Sequence, residues 1–165
     1  MADLAKRKEN LQENLLLIRR CLGWSAKELG DRIGVQRQTI NYLEAKKNER
    51  YQLSTTQYLA IRKVIDDEIV SSPDELAMLG TVLEVLVDNP EKYEAEEREK
   101  VKSKANRLAP AVLAKSSTRE EVSADFEESR KSGLLGMGVM ALKLVVPAVA
   151  MMTTILAGSK GPKED

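Results

Sequence analysis

Residues 24–44, WSAKELGDRIGVQRQTINYLE, place two short helical patterns on either side of a Gly-Val pair. A helix of about nine residues is not stable alone in water, so each pattern must pack against neighbouring elements. Ser25 followed by Glu28 predicts a capping box at the start of the first helix. Gly30 predicts a close crossing of two backbones, and Gly34 predicts a left-handed helix end. The stretch therefore predicts two packed helices joined by a sharp turn.

Three further helical patterns flank this stretch and predict an all-α domain of five helices. Apolar residues at helical spacing predict a first helix that ends just before the stretch. A second capping box, Ser54 with Gln57, predicts the start of the fourth helix. Ser72 followed by Pro73 predicts the start of the fifth helix, because proline is favoured at the first helical position. We expect the domain to occupy residues 1–89.

Beyond residue 89 the character of the chain changes twice. Residues 90–133 are highly charged and carry only a thin apolar stripe, with a helix break expected near Pro110, so they are interpreted as a charged helical spacer. Residues 134–158 are a nearly uncharged run that predicts an apolar helix. Residues 159–165 form a polar tail.

Two interpretations of residues 134–158 remain open, a membrane anchor and a dimerisation helix. The 25-residue run is long enough to span a bilayer, which requires about 20 residues. Its one charge, Lys143, costs about 2.5–3.5 kcal/mol at a helix centre. Each of its ten Leu, Ile and Val residues returns about 0.3–0.6 kcal/mol, so insertion is marginally favourable. The balance favours tethering to the inner face of the cytoplasmic membrane.

The composition of the 165-residue chain argues against an enzyme. The chain has no histidine, and its one cysteine, Cys21, can form neither an internal disulfide nor a cysteine metal cluster. No phosphate-binding glycine pattern occurs, so we expect no catalytic residue, cofactor or metal. The formal charge of zero hides a split of +6 over residues 1–65 and −9 over residues 66–129. A basic front is typical of polyanion binding, and the polar N-terminus predicts a cytoplasmic location for this domain.

The spacing Leu-Gly-x3-Gly-Val-x4-Ile-x2-Leu-Glu is typical of a helix-turn-helix. Residues 11–66 resemble the phage-repressor (Xre/Cro-type) family, and GVQRQTINYLEAKK is similar to its recognition helix. The resemblance implies a five-helix, dimeric transcriptional regulator, such as a repressor, of bacterial or phage type. It implies base contacts from four residues of the second short helix: Gln36, Arg37, Gln38 and Tyr42.

The same resemblance places Thr39 and Asn41 near phosphates and implies a structural pair between Arg19 and Glu44. Ala26 departs from the family pattern, which often has a phosphate-binding glutamine at this position. From their charge and position, four basic residues are also expected to contact the DNA backbone: Lys27, Lys46, Lys47 and Arg50. The hydrogen-bonding chemistry of these side chains agrees with base contacts, because arginine pairs with guanine and glutamine with adenine in the major groove.

A second hypothesis is a membrane-tethered scaffold whose helix-turn-helix binds a protein. In this respect the chain resembles a bacterial cell-shape protein whose similar domain binds an actin-like filament. A protein-binding domain has no need for a basic, amide-rich edge on the second short helix. Arg37 and Gln38 therefore favour double-stranded DNA as the partner.

Overall fold

The computed structural model describes residues 3–45 and 51–133, and within these ranges the protein is all-α, with no β-strand. The first helices are α1 (Leu4–Leu22), α2 (Ala26–Ile33), α3 (Arg37–Glu44), α4 (Thr55–Ser71) and α5 (Ala77–Leu83). A π-helical turn (Glu84–Asp88) and a 3-10 turn (Pro90–Lys92) lead to α6 (Ala95–Leu113) and α7 (Arg119–Gly133). None of the described helices is long and apolar enough to cross a bilayer. The predicted apolar helix, 134–158, and the tail lie outside the described residues.

Both predicted capping boxes are present. The Ser25 hydroxyl accepts a hydrogen bond from the Glu28 backbone N–H (3.1 Å), and the Glu28 carboxylate accepts one from the Ser25 backbone N–H (2.6 Å). Ser54 and Gln57 form the same reciprocal pair at the start of α4. These bonds satisfy N–H groups that have no partner within the helix, so the positions at which α2 and α4 begin follow directly from the sequence.

The fifth helix begins later than the Ser72–Pro73 signal predicts. Residues 73–76 form a turn, and α5 begins at Ala77. The Leu76 backbone N–H donates to the Ser72 carbonyl (3.2 Å), and the Leu76 side chain is buried in the core. The sequence predicts a first helical turn here, but residues 73–76 instead form a separate turn that buries Leu76.

The region after residue 94 also differs from its expected pattern. Helix α6 continues through Pro110, so the expected break does not occur; this proline lies in the last turn and lacks the N–H that would bond the Asn106 carbonyl. Ser117 followed by Glu120 predicts the cap of α7, whereas the observed cap lies one residue later and pairs Thr118 with Glu121. Both differences concern helix ends, which local patterns define least well.

The expected spacer, residues 90–133, packs against the preceding helices. Met1–Ser132 form one compact unit, and α6 packs along α1. Val101, Ala105 and Ala109 of α6 are buried, as is Phe126 of α7, all in the same hydrophobic core as α1. The alanine side chains are small, so they let the two helices approach closely. Because the sequence pattern relies on large apolar residues, it does not reveal this packing. Helices α6 and α7 therefore cover one side of the core with their apolar residues.

Candidate nucleic-acid interface

The turn between α2 and α3 is built around a close approach of the two backbones. A Cβ atom placed on Gly30 would lie only 2.6 Å from the Val35 carbonyl oxygen, so this position requires glycine. The Val35 backbone N–H donates to the Gly30 carbonyl (2.9 Å). Gly34 adopts a left-handed conformation with φ of 74°, which glycine tolerates at little cost. The predicted roles of both glycines are confirmed.

Helix α3 is fixed to the core at its inner face and at its C-terminal end. Ile40 and Leu43 are buried. The Arg19 guanidinium forms two hydrogen bonds with the Glu44 carboxylate, Nε to Oε1 at 2.6 Å and a terminal nitrogen to Oε2 at 2.9 Å. Its other terminal nitrogen donates to the Trp24 carbonyl oxygen (2.7 Å). Because the Arg19 and Glu44 side chains are each only 8% exposed, this pair joins α1 rigidly to the end of α3.

The opposite face of α3 presents polar side chains to solvent. Its exposed residues are Gln36, Arg37, Gln38 and Asn41, while Thr39 and Tyr42 are half-buried. Gln36 precedes the first turn, and its side chain makes no capping hydrogen bond. Arg37 forms no ion pair within residues 3–45 and 51–133. Among the described residues, this edge of α3 is thus exposed to solvent.

A network that the sequence patterns do not predict supports this face. The Gln38 amide donates to the Tyr42 hydroxyl (3.0 Å), and the Tyr42 ring stacks on the Tyr51 ring with centroids 4.6 Å apart. The Gln12 amide donates to the backbone carbonyls of Leu43 (3.3 Å) and Tyr51 (2.6 Å). The only sequence signal is a polar residue, Gln12, beside the apolar stripe of α1. Tyr51 has no local signal, because it reaches α3 through the fold.

The residues predicted to contact the DNA backbone are only partly described. Lys27 is exposed and forms an ion pair with Asp31 (2.6 Å), whose hydrogen bond and charge raise the pKa of the lysine. Thr39 and Asn41 flank the exposed edge of α3. Three residues, Lys46, Lys47 and Arg50, lie outside the described ranges. Arg32, just after Asp31, lies 4.0 Å over the Trp24 ring.

Comparisons with known proteins do not assign the chain to a family. No family profile matches the chain, and no curated protein or solved structure shows a significant match. Any functional conclusion must therefore rest on the residues and their arrangement.

Proposed function

We propose that α1–α5 act as a repressor-like helix-turn-helix domain that binds double-stranded DNA sequence-specifically, as a transcriptional regulator. The observation that carries the proposal is the exposed polar edge of α3, held against α1 by the buried Arg19–Glu44 pair. An α-helix with its side chains is about 10–12 Å in diameter, and the major groove is about 12 Å wide. Residues 36–44 would therefore fit into the groove with their inner face still packed on the core.

The chemistry of the exposed edge matches base recognition. Arg37 can form two hydrogen bonds with the acceptors of guanine, and the glutamine amides can pair with adenine. The charge of +6 over residues 1–65 would attract the phosphates, and this charge includes Lys27 in the first turn of α2 and Lys46, which follows α3 by two residues in the sequence. Rigid attachment of α3 means that little ordering entropy is lost on binding.

The first test measures operator binding by Arg37→Ala and Gln38→Ala. An operator is selected from a random duplex library with the full-length protein, and its affinity is measured by fluorescence anisotropy. Each substitution should weaken operator binding by roughly 5- to 150-fold, because a base contact contributes about 1–3 kcal/mol of discrimination. Lys100→Ala, which removes an exposed cation from α6, is the matched control and should bind as wild type.

Two outcomes of this experiment would oppose the proposal. Equal affinity of wild type, Arg37→Ala and Gln38→Ala for the operator would reject base reading by α3. If the wild type selects no sequence at all but sediments with actin-like filaments, the membrane-tethered scaffold becomes the better hypothesis.

The second test concerns the phosphate contacts. Lys46→Ala and Lys47→Ala should weaken binding to all duplexes alike. Each should also reduce the slope of log affinity against log salt by about 0.9, because one fewer counterion is released. A loss confined to the operator, with an unchanged salt slope, would mean that these lysines do not neutralise phosphates.

We further propose that the protein binds DNA as a homodimer through the exposed face of α4. Leu59 and Val70 are 57% and 81% exposed, respectively. When two antiparallel copies of α4 are related by a two-fold axis midway between residues 64 and 65, Leu59 lies opposite Val70 of the second copy. In the same register Lys63, which pairs with Asp67 of its own helix, lies opposite Asp66, which pairs with Arg62, so the face matches apolar groups with apolar groups and places unlike charges across the axis. Two-fold symmetric operators fit such a dimer.

The dimer is tested by sedimentation velocity with a charge-rescue pair. Leu59→Glu should shift the protein towards the monomer and weaken operator binding. Adding Val70→Lys should restore the dimer, because the new ion pairs form between copies. Within one helix these positions are three turns apart and cannot pair. Failure of the double variant to recover the dimer, or a wild-type protein that stays monomeric on its operator, would reject this interface.

A further inference from the structure

Tyr51 lies outside the helix-turn-helix stretch, yet its ring is part of the α3 face. It precedes α4 and stacks on Tyr42 with an angle of 11° between the ring planes. Its backbone carbonyl accepts a hydrogen bond from the Gln12 amide of α1 (2.6 Å). The Leu53 backbone N–H donates to the Gln12 amide oxygen (2.8 Å), so the same side chain fixes residues on both sides of position 52. Gln12 of α1 therefore holds the backbone on both sides of residue 52, which fixes where the Tyr51 ring meets α3.

The stack has a consequence for Gln38, one turn before Tyr42. One N–H of the Gln38 amide donates to the Tyr42 hydroxyl (3.0 Å). The amide is left with its oxygen, an acceptor, and one further N–H, a donor. Adenine presents one donor and one acceptor in the major groove, whereas guanine presents two acceptors. An amide in this orientation matches adenine and opposes guanine.

We propose that Tyr51 is a positioning residue for base selection: through its stack on Tyr42, it orients the Gln38 amide to read adenine. The inference rests on the proposed DNA-binding function. In the reverse arrangement the Tyr42 hydroxyl would donate to the Gln38 oxygen, leaving two N–H donors that match guanine. The orientation of this one amide therefore decides between two bases, and the Tyr42–Tyr51 stack fixes the hydroxyl to which it bonds.

The experiment compares base preference across variants with the selected operator. The position read by Gln38 is the one whose preference disappears in Gln38→Ala. At that position the wild type should prefer adenine over guanine by roughly 5- to 150-fold. Tyr51→Ala and Tyr42→Phe should each reduce that ratio to within a few-fold of one. Tyr51→Phe keeps the stacking ring and should retain the wild-type ratio.

A purely structural role of Tyr51 would give a different result. Loss of folded protein lowers the apparent affinity for every sequence alike and leaves the ratio unchanged, whereas loss of positioning lowers the ratio and leaves binding to unrelated DNA unchanged. The double variant Tyr51→Ala with Gln38→Ala should discriminate no worse than Gln38→Ala alone, because the two residues act on the same contact.

The outcomes separate the two proposals. If wild type binds no duplex selectively, the proposed function fails, and the reading role fails with it. If wild type is selective and Tyr51→Ala keeps the full adenine preference, only the positioning role is refuted. A wild-type preference for guanine at the Gln38 position would refute the amide orientation.

Discussion

Loss of the Glu44 carboxylate should be among the most costly single changes in the protein. In Glu44→Ala the Arg19 guanidinium keeps only its hydrogen bond to the Trp24 carbonyl, at a site where the side chain is 8% exposed. Removing one partner of a buried ion pair costs about 3–5 kcal/mol, because the remaining charge stays desolvated. We expect the free energy of unfolding to fall by about this amount.

The measurement is urea denaturation followed by far-UV circular dichroism, with two further variants for comparison. Lys27→Ala removes an ion pair whose side chains are 71% and 60% exposed, and it should leave stability nearly unchanged. The double variant Arg19→Met with Glu44→Leu removes both charges and should lose less stability than Glu44→Ala, because no charge stays desolvated and the remaining cost is the lost hydrogen bond to the Trp24 carbonyl. A loss in Glu44→Ala no larger than that in Lys27→Ala would refute the reasoning.

Three further predictions follow from the packing and the chain pattern. Gly30→Ala should destabilise the protein by more than Gly34→Ala, since a Cβ at position 30 meets a carbonyl at 2.6 Å, while position 34 has open space and adds only the strain of its left-handed φ of 74°; equal midpoints in urea would contradict this. Burial raises the pKa of the Cys21 thiol to about 12, so a thiol reagent at neutral pH should label it only in urea, and rapid labelling of native protein would show that it is accessible. Residues 134–158 should make the full-length protein resist alkaline carbonate extraction from membranes, whereas a chain ending at Lys131 should stay soluble; a soluble full-length dimer that becomes monomeric on truncation would identify a dimerisation helix instead.

The sequence predicts those parts of the fold that depend on local chemistry. Ser25, Gly30 and Gly34 have the predicted roles because a cap, a close approach and a left-handed end each accept only a few residue types at one position. The packing of α6 and α7 is not predictable in this way. Ala105 and Ala109 are fully buried. Alanine is equally common on exposed helix surfaces, so only the packing of a partner helix determines whether it is buried.

The same distinction applies to the candidate site: local patterns predict some of its features, and only the completed fold determines the others. Exposure of Gln38 and Asn41 follows from helical periodicity once Ile40 is assigned to the core, whereas Gln36 and Arg37 are exposed because they lie at the N-terminal end of α3. The stack of Tyr51 on Tyr42 joins residues from two separate elements. Local periodicity carries no information about such a contact, because only the completed fold brings these rings together.

The packing of α6 on α1 also determines when the protein can fold. Gly23 at the end of α1 and Val112 near the end of α6 approach closely, although about 90 residues separate them along the chain. During synthesis the N-terminal helices leave the ribosome first, and the side of α1 that α6 will cover has no partner until α6 has also emerged. Complete folding of α1–α5 therefore waits for α6. A chain whose translation stops near residue 89 would present an uncovered apolar surface, and we expect it to aggregate or to be captured by chaperones.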